Sequence, residues 1–387
     1  MNVPPPLGRA PKEVPLGDPK AGQFKPGGGK ADEPLSPPFS ERGLGGKPIL
    51  LCGDIGGSKT LLGLARDGEV LVDRRVANAD FEDFAGLLAA FFIETQTDPS
   101  LIGGGCLAVA GPIADDGRSA RLTNLPWSID SDALSHRFGL PALRLANDFA
   151  AAALGAVTAS SAQRVTLQEG EPLATAPRLV VGAGTGLGMA IVLPQDETWR
   201  IVAGEGGHVA FAPADEQQMA LWAFLHARHG RVTWERVVSG PGLTAIHEFV
   251  AGAELPPEEI ATRAALVDPA SPNSAERRSL DLFLAAYGAF AGDMALACLA
   301  RGGVFLAGGI AAGLLPVLRQ SGFLAAFNAK AEHAAIAARI PIHVATDPVL
   351  GLHGALLLAR EEEPVSAGIV PRAAGRWNAM RGGGSTA

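Results

Sequence analysis

The 387-residue chain is poor in cysteine: only Cys52, Cys106 and Cys298 are present, and no two are close in sequence. An odd, scattered set excludes a disulfide framework and a Cys-x-x-Cys metal site. It also makes a reducing cytoplasm the simplest setting. Each cysteine lies in an apolar stretch, so burial in a core is expected for all three. Excess positive charge is missing too. A formal net charge of −8 leaves no electrostatic footprint for nucleic acid or an anionic membrane. No apolar run reads as a transmembrane helix. The N-terminus lacks the apolar segment of a signal peptide, and Glu13, Asp18, Asp32 and Glu33 argue against a transit peptide. What remains is an ordinary globular composition, 47% apolar and 19% charged, which suits a soluble enzyme without identifying one. The length is enough for two or three domains.

Residues 1–46 and 363–387 are rich in Pro and Gly and carry almost no apolar periodicity, so both read as disordered tails. Between them, PILLCGDIG, LLGLARDG and EVLVDRRV predict an antiparallel meander with a turn at Asp67-Gly68. A helix over FEDFAGLLAAFFIETQ and a strand over GCLAVAG follow. SIDSDALSHRFG has a Ser/Asp helix start and a Gly stop. LRLAND predicts a short strand, FAAAALGA a helix, and RLVVGAGTGLGMAIVL a strand–Gly turn–strand. A mainly helical stretch runs from about 216 to 300. GVFLAGGIA reads as strand, Gly-Gly, helix, PIHVAT as a last strand and GLHGALLLAR as a last helix. Alternating strands and helices make this an α/β protein. The recurrence of the meander pattern near 178–202 suggests two related halves facing a cleft.

Several motifs carry chemistry. GDIGGSKT at 53–60 nearly spells a Walker A loop, but Ser58 replaces a glycine and β-like residues follow where a helix is required. A β-hairpin whose glycines let phosphates approach the backbone fits better, with Asp54 facing magnesium directly or through water. The alternative is an ordinary glycine-rich hairpin. GAGTGLG at 182–188 lacks dinucleotide spacing and leads into a strand, so Gly184, Thr185 and Gly186 offer N–H groups and a hydroxyl to a phosphate instead. Gly308 and Gly309 in LAGGI open a helix and could pack against an adenosine. LAND at 145–148 ends a strand with Asn147-Asp148, where polar residues face clefts. Asp148 as a plain helix cap is the bland alternative. Glu205 and His208 share the glycine-rich turn GEGGHVAF. Glu235 in WERVVSGPGL reads as the start of a helix, where simple dipole pairing is available. No further metal ligand stands near Glu205 and His208, so structural zinc is not expected.

Taken together, GDIGGSKT, LAVAGPI, LTNLPW, LANDF, VGAGTGLG, GEGGHVAFAP, ERVVSGPGL and GGVFLAGGI stand in the order found in bacterial glucokinases. Over about residues 48–360 the chain resembles that family. The resemblance implies a two-domain, actin-like (ribonuclease H-like) ATPase fold with an interdomain active-site cleft. It also implies a smaller domain of 48–158 completed by a closing helix at 345–362, a larger domain of 159–344, and a homodimer. It implies ATP-dependent phosphorylation of glucose at the 6-hydroxyl, with Asp148 as general base. Asn124, Asn147, Glu205, His208 and Glu235 then match the sugar-binding positions. Asp54, Gly56, Gly57, Ser58, Thr185, Gly308 and Gly309 match those for Mg-ATP. Where the family usually has Gly-Gly-Thr-Asn, this chain has Gly57-Ser58-Lys59; the hydroxyl is kept and a charge is added. Related sugar kinases with a Cys-rich zinc loop fit less well, because no cysteine occurs between 107 and 297. A DNA-binding regulator would need a module that the Pro/Gly-rich segment before 48 does not supply. The Glu/His/Glu set also disfavours a sugar-free chaperone-like ATPase.

Overall fold

A computed structural model describes residues 48–360 except 124, 142, 196–197 and 267–272, all within the compact unit Pro34–Ala387. The two expected tails lie outside the described residues. The chain opens with β1 (Ile49–Ile55), β2 (Lys59–Arg66) and β3 (Glu69–Ala77). The β2–β3 turn has positive φ at both Asp67 (53°) and Gly68 (95°), the two-residue geometry that matches strand twist. Then come α1 (Phe84–Glu94), β4 (Ile102–Val109), the short hairpin β5 (Ser119–Arg121) and β6 (Ser128–Asp130), and α2 (Ser131–Phe138). Asp130 caps α2 by accepting from the Ala133 N–H, and Gly139, at φ 67°, ends it. β7 (Arg144–Asn147) runs straight into α3 (Asp148–Thr158).

The second half holds β8 (Arg164–Gln168), β9 (Arg178–Ala183), β10 (Leu187–Gln195) and β11 (Thr198–Gly204). α4 (Glu216–His229), α5 (Gly240–Ala251), α6 (Pro257–Leu266) and α7 (Ala275–Ala297) follow. After β12 (Gly303–Ala307) come four short helices, α8 to α11 (Gly309–Gly313, Leu315–Leu318, Phe323–Asn328, Ala334–Ala337). β13 (Ile342–Ala345) and α12 (Leu350–Arg360) complete the order.

Two sheets result, ordered β3-β2-β1-β4-β7 and β11-β10-β9-β12-β13-β8. In each, three antiparallel strands lead into two parallel ones, β4 and β7 in the first sheet and β12 and β13 in the second. The inferred internal relation is therefore a shared topology. β8, an antiparallel edge strand beside β13, and the β5–β6 hairpin were not expected. Both are short, with too few residues to display a period.

α3 and α12 lie between the sheets. One apolar cluster joins Cys52, Cys106 and Ala108 of the first sheet to Val180, Ala190 and Val192 of the second through Ala151, Leu154, Leu352 and Ala355. The outer face of the first sheet packs on α1 and α2, and that of the second on α5, α6 and α7. Cys298 is only half-buried, contrary to expectation, because it caps the exposed end of α7. α7 is long and apolar enough to cross a membrane by length and composition. Two thirds of that window (67%) is buried here, so it reads as a core helix.

α3 and α12 approach at backbone distance. A Cβ on Gly354 would stand 1.7 Å from the Ala151 carbonyl, and one on Gly155 would stand 2.3 Å from that of Leu350. Glycine on both helices allows this contact, which ties the sheets together.

Candidate active site

The carboxyl ends of the parallel strands gather the predicted residues. In the first sheet Ile55, Val109 and Asn147 share one row across β1, β4 and β7, so Asp54 and Asp148 emerge two strands apart at the same edge. Thr123 donates its N–H to the Ala110 carbonyl (3.2 Å), just past the end of β4. Asn124 itself lies outside the described residues.

Asn147, not Asp148, is the cap of α3. Its Oδ1 accepts from the N–H groups of Phe149 and Ala150, both at 3.1 Å. This removes the bland reading of Asp148 and leaves the Asn147 amide nitrogen available to a ligand. Asp148 is the first residue of the helix and accepts from the Phe149 N–H at 2.8 Å. Burial pushes its carboxyl above the usual range, opposed by that backbone hydrogen bond. Asp54 is pushed up to about 6, mainly by burial and then by the charge of Asp148, with Arg75 acting against both. Its carboxylate rests on the first turn of α12, where a Cβ on Gly351 would stand 2.3 Å away.

Phe149 fixes the N-terminal end of α3, which carries Asp148, to the second sheet. Gly182 and Gly188 face each other across β9 and β10. A Cβ on either would come within 2.5 Å of the Phe149 ring. The two glycines form the slot the ring fills.

The hairpin between β1 and β2 turns at Gly56–Lys59, closed by Gly56 N–H to Lys59 O at 3.0 Å. Ser58 and Lys59 are exposed, and Lys59 makes no ion pair among the described residues. The turn is held from behind by Asn78 and Thr60, neither of which the sequence singled out. Asn78 stands in RVANAD, where an Asn reads as an ordinary turn residue. In the second sheet the Gly184–Gly186 turn is closed by Gly184 N–H to Gly186 O at 2.8 Å, and Thr185 at its tip is exposed. Gly308, with φ 88°, sits against the Ala183 carbonyl at the end of β12 and opens α8 at Gly309. The second and third glycine runs are thus neighbours.

Glu205 and His208 project from the turn after β11, with 89% and 60% of their side chains exposed, 3.7 Å apart. Gly206 and Gly207 leave no room for side chains against Met189 and the Leu187 carbonyl. Glu235 lies in a single 3-10 helical turn, Trp234–Arg236, ahead of α5, which begins at Gly240 under a Ser239 cap. Its Oε2 accepts from the Leu187 N–H at 2.8 Å, and Gly240 N–H donates to Gly184 O at 2.7 Å. The Glu235 segment is therefore fastened to the Gly-Thr-Gly turn.

No group of three or more His, Cys, Asp and Glu side chains that could hold a metal occurs among the described residues. Magnesium needs fewer, because one or two carboxylates plus substrate phosphates suffice. Asp54, a largely buried carboxylate raised by a second one, fits that donor pattern.

A doubled three-plus-two sheet with glycine turns and carboxylates at facing strand ends defines an actin-like phosphotransferase fold. Within that class the chain belongs to the glucokinase family, whose description matches residues 51–362. It is 36% identical over 340 residues to the glucokinase of Trichormus variabilis, spanning 80% of this chain and 98% of that one. Among solved structures, a glucokinase from an Antarctic psychrotroph superposes with a TM-score of 0.71 at 27% identity, covering 81% of this chain and 99% of that one. The glucokinase of Balamuthia mandrillaris, solved with glucose, gives 0.66 at 25% identity, covering 81% and 94%.

Proposed function

We propose that this enzyme transfers the γ-phosphoryl group of ATP to the 6-hydroxyl of glucose, with Asp148 as general base. The observation that carries the reading is the convergence of Asp148, at the end of β7, with the Glu235-fastened turn of the second sheet through the Phe149 slot. Asp148 takes the hydroxyl proton as O6 attacks the γ-phosphorus and the bond to the ADP oxygen breaks. Its raised affinity for protons suits a base. Asn147, Glu205, His208 and Glu235, with Asn124, hold the ring hydroxyls. Carboxylates that accept from hydroxyls reject sugars that misplace them. The Gly56–Ser58 and Gly184–Gly186 turns and Gly308-Gly309 receive the nucleotide. Asp54 would hold magnesium, which supplies charge neutralisation at the phosphates when bound. Two lobes, 48–158 closed by 345–362 and 159–344, shut over the substrates and exclude water.

A coupled assay with ATP and a sugar panel tests this reading. Glucose is expected to give the highest kcat/KM among glucose, mannose, fructose and N-acetylglucosamine. A clear preference for another sugar would remove glucose as the substrate.

We further propose that the enzyme works in the cytoplasm as a homodimer. Support comes from its three free cysteines and from an apolar strip on α4, where Met219 is 59% and Trp222 36% exposed. Met219→Glu is expected to shift sedimentation equilibrium toward monomer. Unchanged dimerisation would place the contact elsewhere.

A further inference from the structure

Asn78 lies just past β3, far along the chain from every motif, and is 1% exposed. A buried primary amide needs partners for all its polar atoms, and here they are found in one place. Its Nδ2 donates to Gly56 O at 2.8 Å. Its Oδ1 accepts from the Thr60 hydroxyl at 2.7 Å, and Thr60 is fully buried. Its backbone N–H donates to Ser58 O at 2.9 Å. The carbonyls of Gly56 and Ser58 are thus drawn to the protein side of the turn, and that of Lys59 is taken by the Gly56 N–H. The N–H groups of Gly57 and Ser58 have no acceptor among the described residues. A turn with three of its four carbonyls engaged and two adjacent amides free can cradle an anion.

We infer that Asn78 is a positioning residue for the nucleotide phosphates, acting through the Gly56–Lys59 turn; this rests on that turn facing phosphate, as proposed above. Only a side chain that donates and accepts at once fits. Aspartate has the same shape but sets a carboxylate against the Gly56 carbonyl. Thr60 fixes the amide's orientation, because its hydroxyl donates to Oδ1 while Nδ2 faces the carbonyl.

The test compares full-length Asn78→Asp, Thr60→Val, Thr60→Ser and Gly57→Val by Tm, KM for ATP, kcat, and glucose Kd titrated without nucleotide. Asn78→Asp is expected to raise KM for ATP roughly 5–100-fold, the range for leaving a buried polar group unsatisfied, while glucose Kd stays within about twofold. Thr60→Val moves KM the same way by less, and Thr60→Ser restores it. An unchanged KM for ATP in Asn78→Asp overturns the inference. So does a loss of kcat and glucose affinity that tracks Tm alone. If Asn78→Asp does not fold, the Thr60 pair decides: no rise in Thr60→Val, or no recovery in Thr60→Ser, overturns it. Gly57→Val separates the two layers. If it raises KM for ATP while Asn78→Asp does not, the brace fails and the phosphate-facing turn stands. If neither raises it, the turn's role falls as well.

Discussion

Asp148→Asn is expected to lower kcat roughly 10²–10⁴-fold, the range for loss of a general base, with glucose Kd little changed. The variant keeps side-chain size, and its amide oxygen still accepts from the Phe149 N–H that Asp148 engages at 2.8 Å. What it loses is the ability to take a proton. Stability should hardly move, since Asn147 supplies the cap of α3. The favourable placement of a carboxylate in the first helical turn is worth only about 0.3–1 kcal/mol, and the burial that raises Asp148 works against it. Were the side chain merely structural, this near-isosteric amide would leave both Tm and kcat nearly unchanged. Measuring kcat, glucose Kd and Tm on one preparation separates the two, and a near-normal kcat would remove Asp148 from the chemistry.

Gly354→Ala is expected to destabilise the fold even though alanine is the better helix former. Propensity alone favours the substitution by about 1 kcal/mol. The added Cβ, however, would stand 1.7 Å from the Ala151 carbonyl, and that atom is backbone, with no rotamer to yield. Overpacking costs roughly 1–3 kcal/mol, more where backbone has to move, so the clash wins and Tm falls by several degrees. The loss should reach catalysis. α3 carries Asp148 at its start, and the first turn of α12 abuts Asp54. Separating the two helices displaces both carboxylates, so kcat drops although residue 354 touches no substrate. Gly313→Ala is the control: its Cβ would meet nothing within 4 Å, and no loss is expected. A Gly354→Ala protein as stable as the parent would show that the helix contact is looser than described.

Much of this was legible in the sequence, for reasons that differ by element. The meander was readable because Asp67-Gly68 is a two-residue turn signal between apolar runs. The glycine turns were readable because their spacing excluded the helical phosphate loops they resemble. Asp148 could not be separated from a helix cap by sequence, since Asn147 and Asp148 are equally good caps; only the hydrogen bonds to Phe149 and Ala150 decide it. Glu235 reads locally as a helix-start residue, and it does stand in a short 3-10 turn, but its partner lies elsewhere. Its bond to the Leu187 N–H joins residues 48 apart, a pairing no local pattern encodes. Asn78 went unnoticed for the same reason: it stands 22 residues from the carbonyl it holds. The slot made by Gly182 and Gly188 is likewise a property of strand register rather than of motif.

The most direct measurement of the central claim is identification of the phosphorylated product. Purified full-length enzyme with glucose, ATP and magnesium, followed by phosphorus NMR, is predicted to consume ATP and glucose in equal amounts and to yield glucose 6-phosphate and ADP. Release of inorganic phosphate without a sugar phosphate, or phosphorylation at another hydroxyl, would contradict the account.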